Sequence, residues 1–326
     1  MQKFFLFGIL LFLVSSARSQ GHTTDTIPDN GFDSTEVLKE LMALLDSAKT
    51  PASYFSVEAG VGNRLFSIHN NRLNARQSSI STLVYTPSSG YFHKSGLSLS
   101  AGAYLLNEKD NGFGASQYSL MPAYSLLNND AVGFSFSYTH LFVKDYFSPY
   151  ASPIQNDFYT AFSYKKSWIK PGIAAGYSTG IYKQVIEKDT TIGLIRRRLY
   201  DSTTNNLRSF SMMLSASHDF EWEHIFSSND GFLFTPSVIL NFGSYNINVT
   251  HKTNAPNFVN NLIKRGRLPK LITSNFRAES AGINLNCNYS IGNFSFSPQL
   301  YLDYYLQETD SDKFTQSFNF SAGYIF

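Results

Sequence analysis

Hydrophobic and polar residues alternate one by one along most of the chain. The clearest stretch is residues 294–307, where Phe, Pro, Leu and Tyr on one face alternate with Ser, Gln, Tyr and Asp on the other. Because successive side chains of a β-strand point to opposite faces, this period of two predicts strands that are apolar on one side only. The same alternation recurs in residues 97–105, 132–139, 210–217, 234–243 and 283–291.

Extended along the chain, this pattern predicts about twelve strands. They are placed at residues 54–64, 78–86, 96–107, 114–127, 130–143, 156–166, 169–183, 208–222, 231–248, 277–290, 293–307 and 315–326. Most reach the roughly 9–11 residues that a tilted strand needs to cross a bilayer. The links tend to alternate in length. One set is short at 128–129, 167–168 and 291–292, with longer members at 87–95 and 223–230, and the other set is mostly longer, at 65–77, 108–113, 144–155, 184–207, 249–276 and 308–314. An even strand count places both ends of such a sheet on the same side.

The composition decides between a soluble and a membrane-embedded sheet. Aromatic residues make up 16% of the chain and charged residues only 15%, whereas an average soluble domain is about 25% charged. The polar faces of the strands carry Ser, Asn, Gly, Thr and Tyr instead of the Lys, Glu and Asp of a solvated surface. Small uncharged groups suit a narrow lumen, and the apolar faces suit lipid. The sequence therefore predicts an all-β fold, a transmembrane antiparallel up-and-down β-barrel of about 12 strands.

The first residues have the order of a secretory signal peptide. Lys3 precedes an apolar run of about 11 residues, and small polar residues follow it. The run is too short for a membrane-spanning helix, which needs roughly 20 apolar residues. Cleavage fits after Ala17 or after Ser19, and we favour Ser19, which assigns residues 1–19 to the signal peptide.

Residues 20–52 are predicted to form a periplasmic segment with a short amphipathic helix, and residues 53–326 the barrel. One broad face of the helix is apolar and carries Val37, Leu38, Leu41, Met42, Leu44, Leu45 and Ala48. Asp33, followed three residues later by Glu36, fits the cap at its start. Two placements remain open. The helix rests on the barrel mouth or on a protein partner, or it enters the lumen as a plug.

The chain ends in the aromatic-rich sequence FNFSAGYIF, in which Tyr324 and Phe326 are the last aromatic residues. This ending resembles the C-terminal signal that the outer-membrane insertion machinery recognises. With the signal peptide and the following Gln20, it makes the chain similar to Bacteroidetes-type outer-membrane β-barrel proteins. The resemblance implies the cell outer membrane as location. The shorter links on one side and the even strand count predict both mature termini in the periplasm. The resemblance also implies the insertion machinery, outer-membrane lipid and lipopolysaccharide as partners.

Several other classes of function are disfavoured by composition and spacing. The net charge of +2 is too small to indicate nucleic acid as a partner. The single cysteine, Cys287, excludes an intramolecular disulfide. The sequence shows neither paired His or Cys ligands nor an acidic calcium loop, so we predict no metal site and no cofactor.

Five charged residues are predicted to point into the lumen: Glu58, Arg64, Lys165, Glu221 and Asp303. Each needs a counter-charge or water, because an isolated charge in a low dielectric costs several kcal/mol or more. Two interpretations are open. The charges pair across a filled lumen and hold it together, or they line a solvated pore.

The long link at 249–276 is rich in cations and has no acidic residue from Val249 to Phe276. Its basic cluster consists of Lys264, Arg265, Arg267 and Lys270. One interpretation is a surface loop whose cations meet the phosphates of lipopolysaccharide. The other is a loop folded over the mouth that forms a cationic gate favouring anions.

Candidates for catalysis are few. Adjacent strand residues point to opposite faces, so His218 and Asp219 cannot share one site. His140 and His218 fall on the predicted outward face near strand ends. Outer-membrane lipid hydrolases resemble one another in placing a histidine and a serine two apart, which His93 and Ser95 match, but this pair falls in a predicted periplasmic link. We therefore predict no enzyme.

Three classes of function remain for the barrel. The first is a pore or transport channel for small solutes, which we favour. The second is a non-conducting structural or assembly component of an outer-membrane complex. The third, an outer-membrane enzyme, has the least support. Barrels of this size are open, filled or plugged, so the strand number does not decide among them.

Overall fold

A computed structural model of the protein describes residues 51–63, 83–108, 112–143, 154–192, 195–253, 272–306 and 313–326. The strands are β1 (Tyr54–Gly62), β2 (Val84–Phe92), β3 (Leu97–Glu108), β4 (Gly112–Ser125), β5 (Val132–Val143), β6 (Asn156–Tyr164), β7 (Lys170–Ile192), β8 (Ile195–Ser217), β9 (Phe220–Glu223), β10 (Asp230–Thr253), β11 (Ile272–Ile291), β12 (Phe294–Tyr305) and β13 (Phe314–Ile325). Within these residues, no helix is long and apolar enough to cross a membrane.

The strands form one closed antiparallel barrel. From β1 to β8 and from β10 to β13 each strand pairs with the next one in sequence, and β8 pairs with β10. The pairing of β1 with β13 closes the ring. Strand β9 continues β8, because both pair with β10 in a single register, Ser217 opposite Ser237 and Phe220 opposite Phe234. The thirteen elements therefore make a barrel of twelve strands. The predicted all-β barrel of about 12 strands is confirmed.

The two faces of the wall differ as the alternation predicts. On β5, Phe134 and Phe136 are 39% and 44% exposed on the outer face, whereas Ser135 and Ser137 point into the lumen. A Phe left in water instead of an apolar phase costs about 1.5–3 kcal/mol. A whole outer face of exposed Phe, Tyr, Leu and Ile is therefore unfavourable in water and fits the lipid-facing band of an outer-membrane barrel. The protein is a transmembrane β-barrel of the outer-membrane type.

The two ends of the barrel differ in their connections. Tyr54 and Phe326 lie at one end of the barrel, which we call the terminus end. The backbone amide of Phe326 donates to the carbonyl of Phe55 at 2.8 Å. The described links at this end are short and comprise residues 93–96, 126–131, 165–169, 224–229 and 292–293. The opposite end, called the loop end here, carries the links whose residues lie mostly outside the described ranges.

Two of the predicted links are wrong. Within the predicted link at 184–207, residues 184–192 and 195–207 are paired sheet, because β7 and β8 contain 23 residues each. The predicted link at 249–276 begins and ends as strand, in β10 up to Thr253 and in β11 from Ile272. Both stretches contain charged residues, which a β-ladder tolerates where it continues beyond the apolar band.

The second strand was also placed wrongly. The prediction put it at residues 78–86, with a link at 87–95, whereas β2 runs from Val84 to Phe92. Pro87, Ser88 and Gly90 are residue types that favour turns. In this wall they are instead the small residues of a strand that pairs with β1 in an unbroken register. The turn follows at 93–96, where Gly96 has a φ of +92°.

Candidate site in the barrel lumen

The inward side chains form two levels that differ in burial. Nearer the loop end lies a level that we call the buried layer. Its members are buried side chains: Val84, Leu106, Gln117, Leu141, Asp157, Ser178, Asn241, Ser280, Tyr301, Asp303 and Tyr305. They come from strands β2 to β7 and β10 to β12, so the layer involves most of the circumference.

Nearer the terminus end lies a polar cavity of about 680 Å³. Its wall is made mainly of small hydroxyl and amide side chains and glycines: Thr86, Ser88, Gly102, Ser119, Ser215, Ser217, Ser237, Asn284, Gln299, Ser317 and Asn319, with Glu58 and Tyr159. On several strands, a residue of the cavity wall and a residue of the buried layer are successive inward-facing residues, two positions apart. On β4, Ser119 lines the cavity and Gln117 belongs to the layer. On β6, Tyr159 lines the cavity and Asp157 belongs to the layer.

A chain of hydrogen bonds crosses three strands of the buried layer. The side-chain amide of Asn241 on β10 donates to the Ser280 hydroxyl at 3.0 Å and to the Tyr301 hydroxyl at 2.9 Å. The Tyr301 hydroxyl in turn donates to Asp303 Oδ1 at 2.9 Å. Tyr301 is 2% exposed, and Asp303 is fully buried. Because Tyr301 also lines the cavity, it connects the two levels.

A second polar contact of the buried layer lies between β6 and β7. The hydroxyl of Ser178 donates to Asp157 Oδ1 at 2.5 Å, and both side chains are buried. Hydrogen bonds to a carboxylate are roughly twice as strong as those between neutral groups. The buried layer therefore contains the carboxylates of Asp157 and Asp303. Each accepts a hydrogen bond from a hydroxyl group, that of Ser178 on the neighbouring strand for Asp157 and that of Tyr301 on the same strand for Asp303.

The predicted lumen charges do not form a single cluster. Glu58 lines the cavity, and Asp303 lies in the buried layer. Lys165 lies in the turn after β6, where its Nζ donates to the carbonyl of Asn129 at 3.3 Å. Glu221 lies on β9 near the terminus end. Arg64 lies outside the described residues, so the predicted pairing across the lumen stays a prediction.

An ion pair near the terminus end was missed by the sequence reasoning. Lys170 Nζ lies 2.6 Å from Asp219 Oδ2, and the Thr235 hydroxyl donates to Asp219 Oδ1 at 2.7 Å. Adjacent His218 points the other way, with its Nδ1 2.6 Å from the carbonyl of Trp168. The expectation that His218 and Asp219 do not share a site is confirmed. Strand alternation places Lys170 and Asp219 on the same inward face, which is the signal that would have paired them.

The His93 and Ser95 pair lies in the exposed turn between β2 and β3. Nδ1 of His93 is 2.9 Å from the Ser95 hydroxyl oxygen, and the Ser95 amide also donates to Nδ1 at 3.2 Å. The contact is therefore local to the turn, and the ring lies beside Tyr91 with the centroids 6.4 Å apart. The pair does not face the cavity. That the protein is not an enzyme stays a prediction.

The remaining candidates are only partly described. The basic cluster of Lys264, Arg265, Arg267 and Lys270 lies outside the described residues, as does the predicted N-terminal helix. Tyr324 packs edge-on against Phe326, with ring centroids 4.7 Å apart. Phe326 is 69% exposed at the seam between β1 and β13. Such exposure leaves the ring accessible, and its role as an insertion signal stays a prediction.

Comparison with known proteins gives no match in sequence: no protein-family model and no curated protein matches the chain. Solved barrels are similar in structure. The NanC porin has 10% identity over 83% of this chain and 98% of its own, with a TM-score of 0.35. The β domain of the Bordetella autotransporter BrkA has 10% identity over 85% and 100%, with a TM-score of 0.35. LpxR from Salmonella typhimurium has 10% identity over 83% and 100%, with a TM-score of 0.30. At these values the fold rests on this chain's own strand pairing, and no activity is transferred.

Proposed function

We propose that the protein is an outer-membrane pore or transport channel for small polar solutes. The observation that carries the proposal is the polar cavity of about 680 Å³ inside the lumen. Its size lies within the range of about 300–1,000 Å³ that is usual for small-molecule sites. The barrel's own wall forms this cavity, so a solute inside it is shielded from lipid.

The lining chemistry favours polar over apolar solutes. The wall carries Ser and Thr hydroxyls together with the amides of Asn284, Gln299 and Asn319. These groups both donate and accept hydrogen bonds, so they replace part of the water that a hydroxylated solute gives up. Glu58 adds a carboxylate, which disfavours anions within the cavity itself.

The buried layer supports a gated channel over a permanently open one. A solute that moves from the cavity toward the loop end meets the side chains of Asn241, Tyr301 and Asp303, which are joined by hydrogen bonds. We propose that this chain of hydrogen bonds is the gate.

The same layer supports a second candidate, a non-conducting structural or assembly component. If the layer never opens, the barrel is an anchor, and the segment at residues 20–52 is its means of contacting a protein partner. We favour the channel because an anchor has no need of a polar cavity, and small apolar side chains fill a closed lumen without the cost of desolvating polar groups.

The orientation and origin are part of the proposal. Both ends of the barrel chain lie at the terminus end, together with the short turns. Short periplasmic turns are usual in bacterial outer-membrane barrels. We therefore propose that the terminus end faces the periplasm. Membership among Bacteroidetes-type barrels stays a prediction from the resemblance.

Conductance of the purified protein in planar bilayers tests the proposal. Steady or gated currents from the mature chain support the channel. The variant Tyr301→Ala opens space in the buried layer and is expected to raise the conductance or open probability. Tyr304→Ala is the matched control, because Tyr304 lies on the same strand but faces lipid and is 48% exposed. Silence from the mature chain, from Tyr301→Ala and from a chain lacking residues 21–50 would overturn the channel and favour the anchor.

A further inference from the structure

A row of polar side chains crosses the outer face of the barrel near the loop end. His140 on β5, Asn156 on β6, Thr179 on β7, Arg208 on β8 and Asn246 on β10 are direct register partners, each opposite the next. All five have the outward parity of the neighbouring lipid-facing residues. Five successive polar residues are therefore placed side by side on a face that is otherwise apolar.

The next outward row toward the terminus end is aromatic. It consists of Tyr138, Phe158, Tyr177 and Phe210, which are again direct partners across β5 to β8. Phe276 on β11 extends the row, with its ring centroid 5.8 Å from that of Phe210. An aromatic girdle marks the edge of the apolar band in outer-membrane barrels. The polar row therefore lies at this edge.

The length of the outward-facing segment on β9 and β8 also places Arg208 at the edge of the apolar band. The outward residues of β9 and β8 run from Trp222 to Phe210, twelve positions apart, with His218 as the polar residue among them. At about 3.3 Å per residue and a tilt of about 45°, twelve positions cover about 28 Å. This agrees with the roughly 25 Å apolar band of such barrels. Arg208 is the next outward residue, at the depth of lipid headgroups.

The two halves of the polar row differ in their contacts. In the first half, the Tyr138 hydroxyl donates to Asn156 Oδ1 at 2.7 Å, and His140 Nδ1 lies 2.9 Å from the same oxygen. The second half borders a groove of about 950 Å³, lined by Arg208, Asn206, Asn246, Asn248, Tyr177 and Ile181 among others. Arg208, Asn246 and Asn248 are exposed. Among the described residues that line this groove, none is acidic.

We propose that this groove binds the phosphorylated headgroup of an outer-leaflet glycolipid of the lipid A type. The guanidinium of Arg208 matches phosphate with two parallel hydrogen bonds. The amides of Asn206, Asn246 and Asn248 donate to phosphate and sugar oxygens. Tyr177, Phe210 and Phe276 lie just below, where the acyl chains pack. The proposal rests on the orientation given above, with the loop end outside, and is independent of conduction.

Native mass spectrometry of the detergent-solubilised mature chain, titrated with purified lipid A, tests the proposal. Because Arg208 would supply charge-assisted hydrogen bonds, Arg208→Gln is expected to weaken lipid A binding about tenfold or more. Arg277→Gln is the matched control, because Arg277 is also exposed near the loop end but does not line the groove. The affinity of Arg277→Gln for lipid A is expected to equal that of the parent protein. Each variant is first shown to be folded by its heat-dependent migration in SDS gels.

Two further titrations decide the kind of lipid. Dephosphorylated lipid A is expected to bind the parent as weakly as lipid A binds Arg208→Gln. Phosphatidylglycerol is expected to bind less tightly than lipid A, since it offers one phosphate and no sugar for the asparagine amides. Equal lipid A affinities for the parent and Arg208→Gln would overturn the site. Equal affinities of the parent for phosphatidylglycerol and lipid A would overturn the glycolipid assignment.

Discussion

The buried layer and the cavity wall belong to the same strands and the same face, yet their side chains have different surroundings. On β4, Ser119 lines the cavity, and Gln117 two residues away is fully buried. On β3, Gly102 lines the cavity, and Leu106 is 1% exposed. The backbone is the same twelve-stranded ladder at both levels. The comparison shows that a change in side-chain size along a strand is enough to turn part of a lumen into packed interior.

The two levels also use polar groups differently. In the layer, hydrogen bonds join Asn241 to Tyr301 and Tyr301 to Asp303 among buried side chains. In the wall, contacts such as Gln299 Nε2 donating to Asn284 Oδ1 at 3.0 Å lie beside open space. A buried polar group that loses its partner pays the full cost of desolvation, whereas a group facing water is solvated again. The same kind of substitution is therefore expected to destabilise the protein more in the buried layer than in the cavity wall.

The largest difference is expected for removal of Tyr301. Tyr301→Ala deletes a ring that is 2% exposed and removes hydrogen bonds to Asn241 and Asp303. Replacing a buried aromatic residue by Ala costs about 3–5 kcal/mol. The free energy of unfolding is measured by urea titration in lipid vesicles, followed by the fluorescence of Trp168 and Trp222.

Ser317→Ala in the cavity wall is the control for this comparison. Substitutions away from packed or buried polar features usually change stability by less than about 0.5 kcal/mol. A loss below about 1 kcal/mol for Tyr301→Ala would show that the layer contributes little packing energy. The two levels would then be equivalent in stability.

A smaller difference in stability is expected between Ala substitutions at two glycines, Gly282 in the buried layer and Gly102 in the cavity wall. A Cβ at Gly282 would lie 2.7 Å from the Tyr301 hydroxyl and 2.7 Å from the carbonyl oxygen of Leu302. A Cβ at Gly102 would meet the Ser119 hydroxyl at 3.1 Å and Ser88 Cβ at 3.3 Å. The first position requires Tyr301 and the backbone to shift, so Gly282→Ala is expected to destabilise by about 1–3 kcal/mol.

Gly102→Ala is expected to change stability by less than about 1 kcal/mol, because the lower entropy of the unfolded chain offsets the closer contact. Both variants are measured by the same urea titration. If Gly102→Ala costs as much as Gly282→Ala, the wall is as tightly packed as the layer, and the proposed difference between the levels is wrong.

The alternation of side chains predicted the inward and outward faces, because the pleat alone determines them. Of the predicted lumen charges, Asp303 lies in the buried layer and Glu58 lines the cavity. The alternation did not predict that Asp303 would be fully buried and Glu58 exposed, since burial depends on residues from neighbouring strands. Those neighbours follow from the register, and a shift of one position in the pairing moves every side chain to the other face.

Residue types were less reliable than alternation at the strand ends. Pro87, Ser88 and Gly90 are types that favour turns and lie within the predicted link at 87–95. In the lumen wall, small residues such as Ser88 instead leave room for the cavity. Residues 184–207 were predicted to be a link, although the β7–β8 ladder continues through residues 184–192 and 195–207. In both cases the prediction used local sequence alone and lacked the neighbouring strands that the closed barrel places beside it.

The smallest effect is expected at the terminus end, for the ion pair of Lys170 and Asp219. Their side chains are 30% and 31% exposed, so water competes for both charges. Partly exposed ion pairs contribute about 0–1 kcal/mol and weaken as salt screens them. Asp219→Asn keeps an oxygen that accepts from Thr235 but removes the charge that faces Lys170. We expect a loss of less than about 1 kcal/mol that becomes smaller at 1 M salt. A double-mutant cycle with Lys170→Gln isolates the pair from its neighbours. A coupling above about 2 kcal/mol, or one independent of salt, would place this pair in an environment as dry as the buried layer and remove the contrast between the two ends of the lumen.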